Sequence, residues 1–130
     1  MIYNIQHSQD LPILEVTINT PILDGNTLAA YVSDMTATLN TCTQQVIVRI
    51  DARKQKFDDI QAVLKSIRCP NNISILEHHM TAAVMIIVNN PELKNAINGA
   101  DIASPCNTRM KAFLDPAIAR AYIHDMMQVV

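Results

Sequence analysis

The chain has 130 residues, 49% of them hydrophobic and 17% charged, with a formal net charge of −2. That size and composition suit one domain with a real core; the scattered, balanced charge and 4% aromatic content exclude the basic stripe and stacking platform of a nucleic-acid surface. No apolar run approaches the roughly 18–20 residues of a membrane helix, and the opening MIYNIQHSQD lacks the basic start and apolar block of a secretion signal, so a cytoplasmic protein is expected.

The start reads as a hairpin. IYNIQ is a short strand and SQDLP a turn. ILEVTIN then alternates, with Leu14, Val16 and Ile18 on one side and Glu15, Thr17 and Asn19 on the other, the period of a strand with one face covered. TPILDGNT offers a cap at Asp24 or Asn26 for a helix. Leu28, Tyr31, Val32, Met35 and Leu39 follow at helical spacing as a core-facing stripe. VIVRI is a short β-branched run of the kind found in central parallel strands. It ends on Asp51, and DDIQAVLKSIR then begins a second helix with Asp58 as cap and Asp59 in its first turn.

Pro70 breaks the chain. ISILEHHM, residues 73–80, suits either a short helix or a strand, and helix is preferred because no tight turn separates it from the next strand. AVMIIV is the clearest buried strand. Asn90 and Pro91 then form a strong helix start, and Gly99 a stop. After a loop, ADIASPCN, a last strand near RMKAFL leads to a final helix capped by Asp115 with Pro116 first. Its buried face is Ala119, Tyr122, Ile123 and Met126. Strands alternating with helices imply right-handed crossovers and a mainly parallel sheet, with the leading hairpin adding an antiparallel edge.

Three stretches in this order resemble the STAS family, and more closely its SpoIIAA-like, STAS/SEC14-like bacterial members. VIVRIDARKQKF is similar to that family's strand ending in Asp. AAVMIIVNNP is similar to its second buried strand and polar turn. MKAFLDPAIARAYIHDM is similar to its closing strand and alanine-rich helix. The resemblance covers nearly the whole chain and implies an α/β fold. It has a mixed, mainly parallel sheet, an N-terminal β-hairpin and about four helices. It also implies a regulatory protein–protein interaction module without catalytic activity or cofactor. Anti-sigma-factor antagonists of the family carry a phosphorylatable Ser one residue after an Asp that falls here near Asp59. This chain has Ile60 there, followed by Gln61 and Ala62, and no hydroxyl to receive the phosphate charge.

Asp51, Arg53, Asp58 and Asp59 form the first candidate surface, at the carboxyl end of a central strand, where open α/β sheets place their crevices. The plainer reading of the same residues is a strand end followed by a capped helix. General acid–base chemistry needs two groups with separated pKa values around a pocket, and the sequence supplies only the carboxylates. His78 and His79 are the second candidate. On a helix, adjacent side chains diverge by about 100°, which disfavours a shared metal, and a surface His beside a half-buried one is the plainer expectation.

The third candidate is the apolar region from Leu93 to Met110. STAS/SEC14-like resemblance implies that helices there part to admit an apolar or lipid-like ligand. Met80, Met85, Met110, Met126 and Met127 would line an adaptable cavity, or simply fill the core. Only Gly25 and Gly99 occur, so no glycine-rich phosphate loop can be written. Cys42, Cys69 and Cys106 are odd in number and far apart, against a disulfide framework or a paired-cysteine zinc site. No metal site is expected. Partners are expected to be another protein or a second copy of the chain, paired through the exposed hairpin edge.

Overall fold

The computed structural model describes residues 3–8, 12–20, 25–55, 75, 78–99 and 109–128. Five strands form one sheet in spatial order β1-β2-β3-β4-β5. They are β1 (Tyr3–His7), β2 (Ile13–Ile18), β3 (Val46–Asp51), β4 (Thr81–Ile87) and β5 (Arg109–Phe113). β1 pairs antiparallel with β2, and the other three pairings are parallel. The mixed, mainly parallel sheet with an N-terminal hairpin is therefore as the sequence predicts.

Three helices are present among the described residues: α1 (Gly25–Asn40), α2 (Pro91–Gly99) and α3 (Pro116–Gln128). The predicted helix over 58–68, with Asp58 and Asp59 at its start, lies outside the described residues. Helix starts follow local chemistry. Asn90 Oδ1 accepts from the N–H groups of Glu92 (2.8 Å) and Leu93 (3.3 Å). Asp115 Oδ1 accepts from Ala117 N–H at 2.9 Å. Such caps satisfy donors that have no intrahelical partner and are worth about 1 kcal/mol each. α1 begins at Gly25, so Asn26 lies inside the helix and is not its cap; Asp24, the other predicted cap, lies outside the described residues.

The sheet has two covered faces. Successive crossovers of one hand put their helices on one side, and α1 and α2 both lie there. Tyr31, Met35 and Leu39 of α1 and Leu93 and Ile97 of α2 pack on Leu14, Val16, Val48 and Val84. α3 follows the last strand and packs on the opposite face, where Ala119 and Ile123 meet Met85, Ile87 and Phe113. Leu39, Leu93, Ile97 and Ile123 are wholly buried, so the predicted stripe of α1, and Ala119 and Ile123 of the α3 stripe, face a core.

The segment over 73–80 follows the preferred helix reading at Ile75 and departs from it at its end. Ile75 is helical, but His78 lies in an irregular position and His79 and Met80 form a turn. Residues 73, 74, 76 and 77 lie outside the described residues. β4 begins at Thr81, two residues before the predicted run. A hydrogen-bonded turn separates it from Ile75. Ile75 O accepts from His78 N–H (3.3 Å) and from the buried Thr81 Oγ1 (2.9 Å). Local pattern missed this because its partners are backbone groups, which leave no mark on hydropathy.

Among the described residues no helix is long and apolar enough to cross a membrane.

Candidate functional site

Parallel strands all end on the same side, and register aligns their ends. Thr17, Asp51, Ile87 and Phe113 sit side by side across β2–β5. The segments just beyond them form the carboxyl rim of the sheet, where the first candidate surface was expected. Asp51 and Arg53 are brought together there. Arg53 Nε donates to Asp51 Oδ1 (3.0 Å) and Nη2 to Oδ2 (2.8 Å), a bidentate pair. Arg53 N–H also reaches Oδ1 at 3.2 Å. Asp58 and Asp59 lie outside the described residues.

The turn carrying Arg53 is held from behind. Ala52, fully buried, donates its N–H to Ile87 O at 2.9 Å. Asn89 Nδ2 donates to Arg53 O (2.6 Å) and to Gln55 O (3.4 Å). Lys54 Nζ donates to Asn19 Oδ1 at 3.4 Å. Asn89 was not singled out in the sequence. The available signal was the tandem Asn89–Asn90: one caps α2, which leaves an exposed amide without a local task.

These contacts fix charge. The hydrogen bonds from Arg53 hold Asp51 below the ordinary carboxylate range, against the opposing effect of partial burial, and Arg49 helps. Arg53 is in turn raised, chiefly by its hydrogen bonds to Asp51, with a smaller contribution from Asp115. Both groups stay ionised through the neutral range, so neither is poised to exchange a proton. The rim presents a fixed ion pair.

A second pair lies on the same face, one row further into the sheet. Glu15 on β2 is directly opposite Arg49 on β3, and Arg49 Nη1 donates to Glu15 Oε1 at 2.8 Å. Arg49 is mostly covered, with 18% of its side chain exposed, and its Nε is buried without a hydrogen-bond partner among the described residues. Glu15, Arg49, Asp51 and Arg53 thus alternate in sign along this side of the sheet.

His78 and His79 stand apart from the rim, at the opposite end of β4. Their rings stack at 4.6 Å and 18°. The expected divergence of about 100° applies to a helix, and these residues are not in one. His78 is half-buried and His79 exposed, as the plainer reading had it. Met80 N–H donates to His78 Nδ1 at 3.1 Å, so Nδ1 carries no proton. Nε2 therefore carries it and donates to Asn40 Oδ1 at 2.8 Å. Both ring nitrogens are engaged in joining α1 to the turn before β4. Among the described residues no group of three or more His, Cys, Asp or Glu is placed to hold a metal.

Burial, then the neighbouring His79, lowers the His78 pKa from 6.5. The unfolded chain thus takes up this proton before the folded one, and stability rises with pH across that interval. The contribution is complete above about pH 6.5 and is lost as pH falls through the lowered value. Urea unfolding followed from pH 8 to pH 5 should lose stability less steeply in a His78→Gln variant than in the parent. Parallel pH profiles would remove His78 from the account.

The third candidate is divided by the sheet. Met85 packs on the α3 side, whereas Met80 and Met110 pack on the α1–α2 side. One cavity cannot be lined by all three, because alternate strand residues face opposite ways. The side chains of Met126 and Met127 lie outside the described residues, as do Cys69 and Cys106. Cys42 at the end of α1 is a free thiol, pushed up in pKa by burial, with Sγ on Thr38 O at 3.5 Å. That is a packing role, since a reactive cysteine needs the opposite shift.

No family model matches the chain, and no curated protein matches it. Among solved structures, it is similar to an uncharacterized protein of the DUF3478 family from Shewanella loihica, with a SpoIIAA-like fold. The two are 17% identical with a TM-score of 0.63, over 92% of this chain and 90% of that one. The chain therefore has the SpoIIAA-like fold that its strand and helix motifs resemble.

Proposed function

We propose that this chain is a non-catalytic regulatory module of STAS-like type that acts by binding another protein through the carboxyl rim of its sheet. The observation that carries the reading is the pairing of fixed charge with exposed apolar surface at one place. Leu114 and Ile118 are the exposed large hydrophobic side chains among the described residues, at 40% and 59%. They flank Asp115, which acts electrostatically on Arg53. Apolar anchors beside charged groups have the make-up of a protein contact: the anchors supply affinity, and the charges select the partner. The ion pair supports binding over catalysis because its members keep their charge.

The test is quantitative affinity capture from the host with the parent chain, Ile118→Asp and Arg53→Glu. Ile118 is exposed and its variant should unfold at nearly the parent temperature; Arg53→Glu also loses the pair with Asp51 and should unfold somewhat lower, still as a folded chain. A protein held by the parent in stoichiometric amount should be lost by both variants. Capture indifferent to both substitutions would remove the rim as the contact surface. Native mass spectrometry of the same material reads the alternative function: a retained apolar or lipid-like adduct would support ligand carriage instead.

A further inference from the structure

A sheet has two edges, and this one treats them differently. β5 is protected. Asn98, in the last turn of α2, lays its side-chain amide on the outer backbone of β5: Nδ2 donates to Ala112 O at 3.1 Å and Oδ1 accepts from Ala112 N–H at 2.8 Å. The amide thus takes the place that a neighbouring strand would fill.

β1 is the other edge, and no strand pairs with its outer side among the described residues. Edge strands are usually guarded by a charge, a proline or a bulge. Tyr3–His7 reads YNIQH, with no Lys, Arg, Asp, Glu or Pro, and its register with β2 is unbroken. The strand is also held in place. The Tyr3 hydroxyl donates to Asp34 of α1, and its ring meets Tyr31 edge-on at 5.4 Å.

The direction of the free backbone groups follows from one bond. Ser8 N–H donates to Ile13 O at 2.9 Å, and these two residues continue the β1–β2 register. In antiparallel pairing, hydrogen-bonded positions alternate. Ser8, Gln6 and Asn4 thus direct their backbone groups toward β2, and His7, Ile5 and Tyr3 direct theirs outward.

We infer that β1 is a self-association edge, whose partner is the β1 strand of a second copy of this chain, antiparallel about a two-fold axis at Ile5. That register is self-complementary. Ile5 lies opposite its own copy, and Tyr3 lies opposite His7 of the second copy. Asn4 lies opposite Gln6 of the second copy, on the exposed face. Every outward N–H and C=O of positions 3, 5 and 7 gains a partner, and no formal charges oppose. The contact is isologous, so it closes at the dimer and joins two five-stranded sheets into one.

Sedimentation equilibrium of the full chain should show a dimer fraction that rises with concentration. Asn4→Lys with Gln6→Lys puts like charges opposite one another twice, and should weaken the dimer by about tenfold. Asn4→Glu with Gln6→Lys restores opposite charges across the axis and should restore pairing. Ile5→Pro removes an outward N–H while leaving every bond to β2, so it should abolish the dimer with the monomer still folded by circular dichroism. A parent chain that stays monomeric at all concentrations would overturn the inference. So would a dimer indifferent to the double-lysine change and to Ile5→Pro.

Discussion

Replacing Ile123 with alanine should lower the unfolding free energy by about 2–4 kcal/mol, a large part of a small domain's total. Ile123 is wholly buried in α3 and, with Ala119, holds that helix against Met85, Ile87 and Phe113. These contacts come from β4 and β5, whose backbones are tied into the sheet. They cannot move in to fill the lost volume, so a cavity remains. Ile118 on the same helix is the control. At 59% exposure its change to alanine should stay within about 0.5 kcal/mol. Urea midpoints at an unchanged slope would measure both. Equal losses at the two positions would mean that α3 does not pack as described.

The second large effect is an asymmetry. Glu15→Ala should cost about 1–3 kcal/mol, because it leaves the mostly covered Arg49 guanidinium without its carboxylate. The figure lies below that for a fully buried pair because Glu15 is 37% exposed. Arg49→Met should cost under about 1 kcal/mol or stabilise, since a flexible apolar chain would sit beside Met85 while Glu15 turns to water. Arg49 is directly opposite Met85 in β4. The same denaturant series, completed with the double variant, gives the coupling energy. If Arg49→Met proved the more damaging, the guanidinium would be contributing more than its pairing with Glu15 explains.

Much of the fold was legible in the sequence because its signals are local. The stripe from Leu28 to Leu39 reports a helix through neighbours three and four apart. Asn90–Pro91 and Asp115–Pro116 mark helix starts through donors only two or three residues on. VIVRI and AVMIIV report strands covered on both faces. Asp51 and Arg53 were also legible as neighbours on one candidate surface, since they stand two positions apart at a strand end.

The rest depended on contacts that no local pattern records. Asn98 reaches Ala112 across 14 residues, Arg49 reaches Glu15 across 34, Asn89 reaches Arg53 across 36, and His78 reaches Asn40 across 38. Strand register decided that Glu15 faces Arg49 and that the methionines fall on opposite faces of the sheet. The chain's periodicities and caps determined by themselves which segments become strands and helices, because those choices are settled within a turn or a pleat. Tertiary structure alone decided which edge is sealed, which charges are paired and which apolar side chains stay outside, because each of those depends on groups that meet only once the sheet is assembled.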